Sequence, residues 1–211
     1  MGKTGSGKTE FEKFLLRRIA LRVPVVIVDP KPQWGTEHKI EWAKSKEAGT
    51  IDSPHLVTRF NPKFWVQLVQ PDEYDKSLEG FLKGILKIGY RYVFIDESEG
   101  LCTATQVPLG IRKVWKQGRL LRVGAGVGSQ TFSGIPKIFK SQAEKFVLFK
   151  VGDEDAEDAA KLVHVAVEDV LALERWEYIY YDSETMDRGI WFPPLDLEKE
   201  KDFMKEATHA A

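Results

Sequence analysis

The sequence predicts an α/β fold built on a mainly parallel sheet. Three observations carry this expectation. A glycine-rich loop over residues 2–9 leads directly into residues at helical spacing. Two short apolar runs, residues 25–28 and 92–95, read as buried strands that end in acids. Strand-like and helix-like segments then alternate along the chain, the pattern of parallel strands joined by crossover helices.

Element by element, the reading is as follows. After the loop, Phe11, Phe14, Leu15 and Ile19 recur at helical spacing, so a helix follows. Val25, Val26, Ile27 and Val28 form a strand closed by a turn at Asp29-Pro30. Residues 31–54 are polar and irregular, a long loop with a short helix over 41–47. Residues 56–60 read as a short strand. Leu78, Phe81, Leu82 and Ile85 mark a helix over 73–88, weakened by Gly80 and Gly84. The strand at 92–95 ends in Asp96-Glu97. A helix is expected over 109–121, a small-residue strand over 125–128 and another strand over 146–151. An acid-started helix covers 153–163 and a shorter one 168–174. Residues 178–181 and 190–192 read as late strands, paired across 182–188. The expected organisation is one domain over residues 1–195, followed by a charged, then Ala-rich stretch at 196–211 that is a terminal helix or a frayed tail.

The opening loop has the form G-x-x-x-x-G-K-[ST]: Gly2, Lys3, Thr4, Gly5, Ser6, Gly7, Lys8 and Thr9. Phosphate groups need several donors converging on one point. Glycines let consecutive backbone N–H groups face inward, and the following helix adds its free N–H groups and its positive dipole end. In this pattern Lys8 reaches the β- and γ-phosphates, and the Thr9 hydroxyl ligates Mg²⁺. The Gly-Lys-Thr triplet occurs twice, but only Lys8 has a glycine, Gly2, at the correct distance upstream.

Asp96 and Glu97 end an apolar strand, and the pairing has a chemical logic. Asp96 can support Mg²⁺, while Glu97 can polarise a water in line with the γ-phosphate. Two adjacent acids favour hydrolysis over binding alone. Gln130, ending the next strand after Ser129, is a candidate γ-phosphate sensor. Arg119, with Arg122 as the alternative, is a candidate finger reaching a neighbouring subunit's nucleotide. Such a finger is worth roughly 10³–10⁵ in rate. Lys31 either faces the nucleotide or is a solvated turn lysine.

Composition narrows the class. One cysteine, Cys102, excludes an internal disulfide and fits a reducing compartment. No signal peptide and no apolar stretch of spanning length is visible, so no intrinsic membrane segment is expected. Net charge is −1, which excludes a general polyanion binder. Charge is nonetheless uneven. Arg112, Lys113, Lys116, Arg119, Arg122, Lys137, Lys140, Lys145 and Lys150 face a single acid, Glu144, over residues 111–150. That stretch is either a polyanion-facing surface or an ordinary solvated mixture. Lys137 and Lys140, with Phe132 and Phe139, are candidates for DNA phosphate contact. His38, His55, His164 and His209 lack metal-ligand spacing. Trp34, Trp42, Trp65, Trp115, Trp176 and Trp191 read as core or interface residues.

With these motifs placed, the chain resembles the FtsK/HerA superfamily of P-loop DNA-pumping ATPases. The resemblance rests on residues 2–9, on the Val25–Val28 strand with Asp29-Pro30, on residues 93–97, and on Gly118-Arg119 followed by Gly128-Ser129-Gln130. It covers residues 2 to 165. The compact size is closer to the genome-packaging ATPases of tailless, internal-membrane viruses than to cellular FtsK or HerA, which carry additional domains. The resemblance implies an additional-strand P-loop fold of the RecA/FtsK-HerA type, a three-layer sandwich. It implies a ring, usually a hexamer, with ATP at subunit interfaces and double-stranded DNA through the centre. Lys8 and Thr9 then bind ATP and Mg²⁺, Asp96 supports Mg²⁺, Glu97 is the base, Gln130 senses and Arg119 acts in trans. It further implies DNA packaging into a viral capsid, with capsid or membrane vertex proteins as partners, in the host cytoplasm or the virion.

Two departures stand out. Thr131-Phe132 stands where the family often has Arg-Pro. The strand that normally precedes the loop is absent, so the chain is expected to bind ATP poorly and to recover with roughly ten upstream residues, a strand and its lead-in. Two other functions compete: a P-loop phosphotransferase acting on a small molecule, and a non-motor viral morphogenesis ATPase resembling the zonula occludens toxin-like proteins.

Overall fold

The structure, a computed structural model, describes residues 1–31, 34, 56–61, 66–71, 74, 76–185 and 187–192. They fall into two compact units, residues 16–142 and residues 1–15 with 143–211. The expected helix at 41–47 and the expected tail at 196–211 lie outside the described residues.

In the first of these units, five strands form one sheet. They are β1 (Val25–Val28), β2 (Leu56–Asn61), β3 (Val66–Pro71), β4 (Arg91–Ile95) and β5 (Val123–Val127). The order is β2-β3-β1-β4-β5. β3, β1, β4 and β5 run parallel, and β2 is antiparallel at the edge. All four residues of β1 are buried, which is why its sequence is a continuous β-branched run without alternation. The sequence reading missed β3. Its glutamines, Gln67 and Gln70, interrupt the apolar run, yet Leu68 and Val69 are fully buried beside β1.

The sheet's core follows the two-residue period of a strand. Val25 and Ile27 join Leu68, Phe94 and Trp34 in one buried cluster with Leu16 and Ala20. Those last two belong to the C-terminal half of α1 (Lys8–Ala20), the helix expected after the loop. Val26, Val28, Val93 and Ile95 take the alternate positions and are equally buried. Burial of each such side chain is worth about 2 kcal/mol. The helix α2 (Lys76–Ile88) buries Leu78, Leu82, Ile85 and Leu86. It begins later than expected, and it packs on the start of α3 (Leu109–Gln117), where the Tyr74 hydroxyl accepts the Gly110 N–H at 2.9 Å.

α3 ends four residues before the expected 121. A tight turn, Arg119–Leu121, replaces its last turn, and Val123 N–H donates to the Gly118 carbonyl at 2.8 Å. β5 reads Val-Gly-Ala-Gly-Val because Tyr92 of the adjacent β4 lies across it. A Cβ on Gly124 would meet the Tyr92 ring at 2.7 Å. Burial pushes the Tyr92 phenol up to about 12. A short helix not expected from the sequence, α4 (Lys137–Gln142), follows β5 and buries Phe139 against Trp115, ring centroids 4.6 Å apart.

In the other unit, β6 (Lys145–Leu148), β7 (Tyr178–Asp182) and β8 (Asp187–Phe192) form an antiparallel sheet in that order. β7 and β8 are the expected late hairpin. α5 (Asp153–Val163) has the predicted bounds, with three acids in its first turn where the helix dipole favours them. α6 (Val167–Ala172) follows it. No strand precedes Gly2 among the described residues. The chain's first residues instead run along the end of β6. Met1 N donates to the Val147 carbonyl at 2.7 Å, Phe149 N–H to the Met1 carbonyl at 2.8 Å, and Lys3 N–H to the Lys150 carbonyl at 2.8 Å.

Two glycines give opposite expectations. A Cβ on Gly118 would lie 2.5 Å from the Val123 carbonyl oxygen and closer still to that of Val114. Gly118→Ala is therefore expected to destabilise by about 2 kcal/mol or more. Gly84, in mid-α2, has nothing within 4 Å of such a Cβ, and Gly84→Ala is expected to stabilise by about 0.8 kcal/mol. Urea unfolding midpoints check both, and equal shifts would contradict this packing.

Candidate functional site

The loop belongs to the unit that contains β6 and β7. Its backbone needs glycine at three points. Gly5 has φ +80 and Gly7 φ +105, both in the region that side chains rarely adopt. At Gly2 a Cβ would come 2.5 Å from Phe149 Cβ and 2.8 Å from Ser6 Oγ. Ser6 N–H donates to the Lys3 carbonyl at 3.2 Å, closing the loop on itself. The Ser6 hydroxyl is buried with no hydrogen-bond partner among the described residues. α1 starts at Lys8, so its N-terminus opens onto the loop. Alternating glycine conformations, an orphaned buried hydroxyl and a 13-residue helix with its N-terminus at the loop suit an oxyanion of a phosphate group.

Lys8 is itself buried, 6% exposed, and its ammonium lies 3.3 Å from Glu12 Oε2, one turn along α1. Glu12, equally buried, is a partner the sequence reading missed. The i, i+4 spacing was the available signal. Thr9 follows at the second position of α1, half-buried, with a hydroxyl of the hard-oxygen type that suits Mg²⁺. Phe11 holds the start of this helix, its ring 5.1 Å from Tyr178 and 5.8 Å from Phe149.

A second residue outside the motif meets the loop. Trp176 N–H donates to the Ser6 carbonyl at 2.9 Å, and the indole lies so close to Gly7 that a Cβ there would sit 2.7 Å from Trp176 Cε3. Trp176 takes φ +73, a left-handed conformation uncommon for a bulky residue. No pattern in the sequence pointed to it.

The acids lie in the other unit, where the parallel register sets the ends of β1, β4 and β5 side by side. Asp96 and Glu97 are 1% and 2% exposed. Burying a carboxylate is costly unless donors surround it, and both acids have them. Asp96 Oδ2 accepts the Trp34 indole N–H at 2.7 Å, and Oδ1 accepts the Glu97 backbone N–H at 2.8 Å. Trp34 backbone N–H in turn donates to Asp29 Oδ2 at 3.0 Å, which also accepts from Gln70 Nε2 at 3.1 Å. The sequence reading placed Trp34 in the core, and it is there. Its donor role was not foreseen, because a tryptophan inside a polar stretch carries no motif.

Glu97 stands in the left-handed region, φ 42 and ψ 59. The Gln130 side-chain amide donates to its Oε1. Lys31 Nζ lies 2.6 Å from Oε2. That contact raises the Lys31 pKa, chiefly through its bond to Glu97, with Glu99 and Asp96 adding to the pull. Of the two readings for Lys31, the structure gives neither alone: more than half of its side chain is exposed, and its charge is spent on Glu97. Glu99, also missed, ties the end of β5 to this corner. Its Oε1 accepts the Ser129 hydroxyl, the Gln130 N–H at 2.8 Å and the Thr131 N–H at 3.3 Å.

Arg119 and Arg122 are exposed at the N-terminal end of β5. Arg91 N–H donates to the Arg122 carbonyl at 3.3 Å, which places this corner at the start of β4, the opposite strand end from Asp96. The fold therefore gathers Asp96, Glu97 and Gln130 but leaves both arginines apart from them. Lys140 is engaged internally, donating to the Phe132 carbonyl at 3.2 Å with its ammonium 4.3 Å from the Phe132 ring centroid. Phe132 and Phe139 are buried. Burial pushes the Cys102 thiol up to about 12, with Glu99 adding to it, so it stays protonated.

No protein-family model matches the chain, and no curated protein matches it in sequence. Solved structures do match. The chain is similar in fold to a viral genome-packaging NTPase. This is B204 of Sulfolobus turreted icosahedral virus 2, solved in complex with ATP-gammaS. The TM-score is 0.72 at 18% identity, over 92% of this chain and 95% of that one. B204 is also described as the DNA-packaging ATPase of Sulfolobus turreted icosahedral virus, with the same TM-score and identity. The pCW3 conjugation coupling protein TcpA matches at TM-score 0.61 and 14% identity, over 97% of this chain and 63% of that one. The expected likeness to a viral genome-packaging ATPase is thus present at the level of fold.

The Lys8–Glu12 pair makes a stability test possible. Lys8→Ala leaves the buried Glu12 without its ammonium and is expected to destabilise by about 3 kcal/mol. Adding Glu12→Gln should recover most of that loss. Thermal unfolding of the single and double variants checks it, and a double variant no more stable than Lys8→Ala would count against the pairing.

Proposed function

We propose that this chain is an ATPase that uses Mg²⁺-ATP to drive double-stranded DNA into a viral capsid. One observation carries the reading: two adjacent carboxylates are buried at a strand end, and the second, in a left-handed backbone, accepts the side-chain amide of a strand-end glutamine. A strained residue at such a place is characteristic of a functional site. A protein that merely bound nucleotide would have no use for the second acid. The fold likeness to B204 and TcpA supports the motor part.

On this reading the backbone of Gly2, Lys3, Thr4, Gly5, Ser6 and Gly7 cradles the phosphates, and Lys8 neutralises the β- and γ-oxygens. Thr9 and Asp96 would hold Mg²⁺, which supplies charge neutralisation at the transferring phosphoryl group. Glu97 orients a water and takes its proton as the water oxygen bonds to the γ-phosphorus and the bond to ADP breaks. Gln130, already on Glu97 Oε1, reports the γ-phosphate to the base. Lys31, an exposed donor on Glu97, would withdraw when a polyphosphate anion competes for it.

A ring, with six as the family number, gives Arg119 a role in trans. Its position at the far strand end supports a neighbour's site over its own. Exposed Arg112, Lys116 and Lys137 suit the DNA phosphates. Capsid or membrane vertex proteins would be further partners, in the host cytoplasm or virion, with residues 1–195 acting as one ATPase domain. Among the described residues no helix is long and apolar enough to cross a membrane.

Glu97→Gln is expected to lower kcat by 10²- to 10³-fold, roughly the value of a positioned base. Its affinity for ATP-gammaS by calorimetry should stay within about threefold of the parent's. Duplex DNA should accelerate the parent. Undiminished turnover in Glu97→Gln would refute the base, and indifference to duplex DNA would refute the motor.

Arg119→Ala should lose about 10³ in kcat with nucleotide affinity retained. Mixing Arg119→Ala with Glu97→Gln protomers should recover part of the rate, because some interfaces then pair an intact arginine with an intact base. No recovery on mixing would place the arginine in cis or outside the reaction.

A further inference from the structure

The turn that carries Trp176 is built with more care than a surface turn needs. Glu177 N–H donates to the Glu174 carbonyl at 3.3 Å, and the Glu177 carboxylate accepts the Glu174 N–H at 2.8 Å. Trp176 thus occupies the third position of a doubly closed four-residue turn. With φ +73 it takes the place where glycine or asparagine is the usual choice. A bulky residue in that conformation is strained, and such strain persists where the side chain's position is of use.

What the position achieves is a flat ring beside the phosphate loop. The Trp176 N–H is bonded to the Ser6 carbonyl, and the indole is packed against Gly7. Both contacts fix the ring relative to the two residues that precede Lys8. The ring is not sealed in, since Trp176 is only partly buried. Arg175, itself exposed, holds its guanidinium 5.0 Å from the ring centroid. An indole with a guanidinium beside it is the pairing that receives flat, electron-rich rings. Core packing would explain a buried Trp176 in relaxed backbone, but neither condition holds.

We propose that Trp176, with Arg175, is the base-binding subsite of the nucleotide site, a stacking platform for the purine of the nucleotide whose phosphates the loop takes. The subsite rests on the loop's reading as a phosphate cradle and deepens it. Stacking on an aromatic side chain is tolerant of which purine is present, so the subsite discriminates nucleotide from bare polyphosphate and favours ATP and GTP over UTP.

The test compares ATP with inorganic tripolyphosphate, both with Mg²⁺, by isothermal titration calorimetry. Trp176→Leu should weaken ATP about tenfold and leave tripolyphosphate unchanged. Trp176→Phe, which keeps a ring, should hold ATP within about threefold of the parent. The ratio of the two affinities is read within each variant, so a partly unfolded population cancels. An equal loss of both ligands in Trp176→Leu would make Trp176 a prop for the loop and overturn the subsite, as would no loss of either. The cradle is judged separately by Lys8→Ala with Glu12→Gln. Tripolyphosphate affinity indifferent to that change would overturn the cradle itself.

Discussion

The end of β4 imposes the constraint that the rest of its unit satisfies. Asp96 and Glu97 are adjacent carboxylates, and both are almost fully buried. Left alone, each would cost several kcal/mol of desolvation. The neighbouring elements are accordingly shaped to present donors. The end of β1 brings Asp29, which fixes the Trp34 backbone, and Trp34 gives its indole N–H to Asp96. The end of β5 brings the Gln130 amide to Glu97. Lys31, following β1, supplies a full positive charge to Glu97. Parallel pairing is what makes this possible, because it aligns the ends of three strands whose connections are otherwise long.

The same carboxylate chemistry sets the path of the chain after β5. Glu99 sits in the short turn beyond Glu97, and it gathers the Ser129 hydroxyl and two successive backbone N–H groups. Ser98 N–H closes the corner on the Gly128 carbonyl at 2.9 Å. Glu97 therefore has little freedom to leave its left-handed conformation, since the residue after it is tied to β5. The glycines of β5 serve a related end. They let Tyr92 lie flat across the strand, so β5 stays close to β4 and delivers Ser129 and Gln130 at the depth of the acids.

Much of this was legible in the residues, and the reasons for the gaps are physical. The loop, α1, β1, β4 and the acids announce themselves through local pattern: glycine spacing, β-branched runs and paired charges. α5 was read to its exact bounds because its first turn is acidic and its apolar face regular. β3 was missed because two glutamines break its apolar run, although one of them, Gln70, is there to bond Asp29. The helix expected to run to 121 stops at Gln117, and the glycine that follows, Gly118, lets the Val114 and Val123 carbonyls approach, a local stop signal that the reading passed over. Trp34, Glu99 and Trp176 were invisible as site residues for a common reason. Each acts through a contact distant in sequence, and a lone tryptophan or glutamate reads the same whether it packs, solvates or holds a partner.

A common arrangement links the two groups of candidate residues. In one unit the Lys8 ammonium is paired with Glu12; in the other the Glu97 carboxylate is paired with Lys31. Each candidate charge is thus matched within its own unit. This keeps the folded chain stable, because neither Lys8 nor Glu97 is left buried and uncompensated. On the proposed reading it would also set a threshold for the ligand. A singly charged anion gains little by competing with a carboxylate that is already in contact with Lys8. A polyphosphate brings several charges at once and gains donors from the loop backbone and the helix N-terminus that Glu12 does not use. On the reading proposed above, the Lys8–Glu12 pair would act as a filter on charge density, yielding to a polyphosphate before it yields to a singly charged anion.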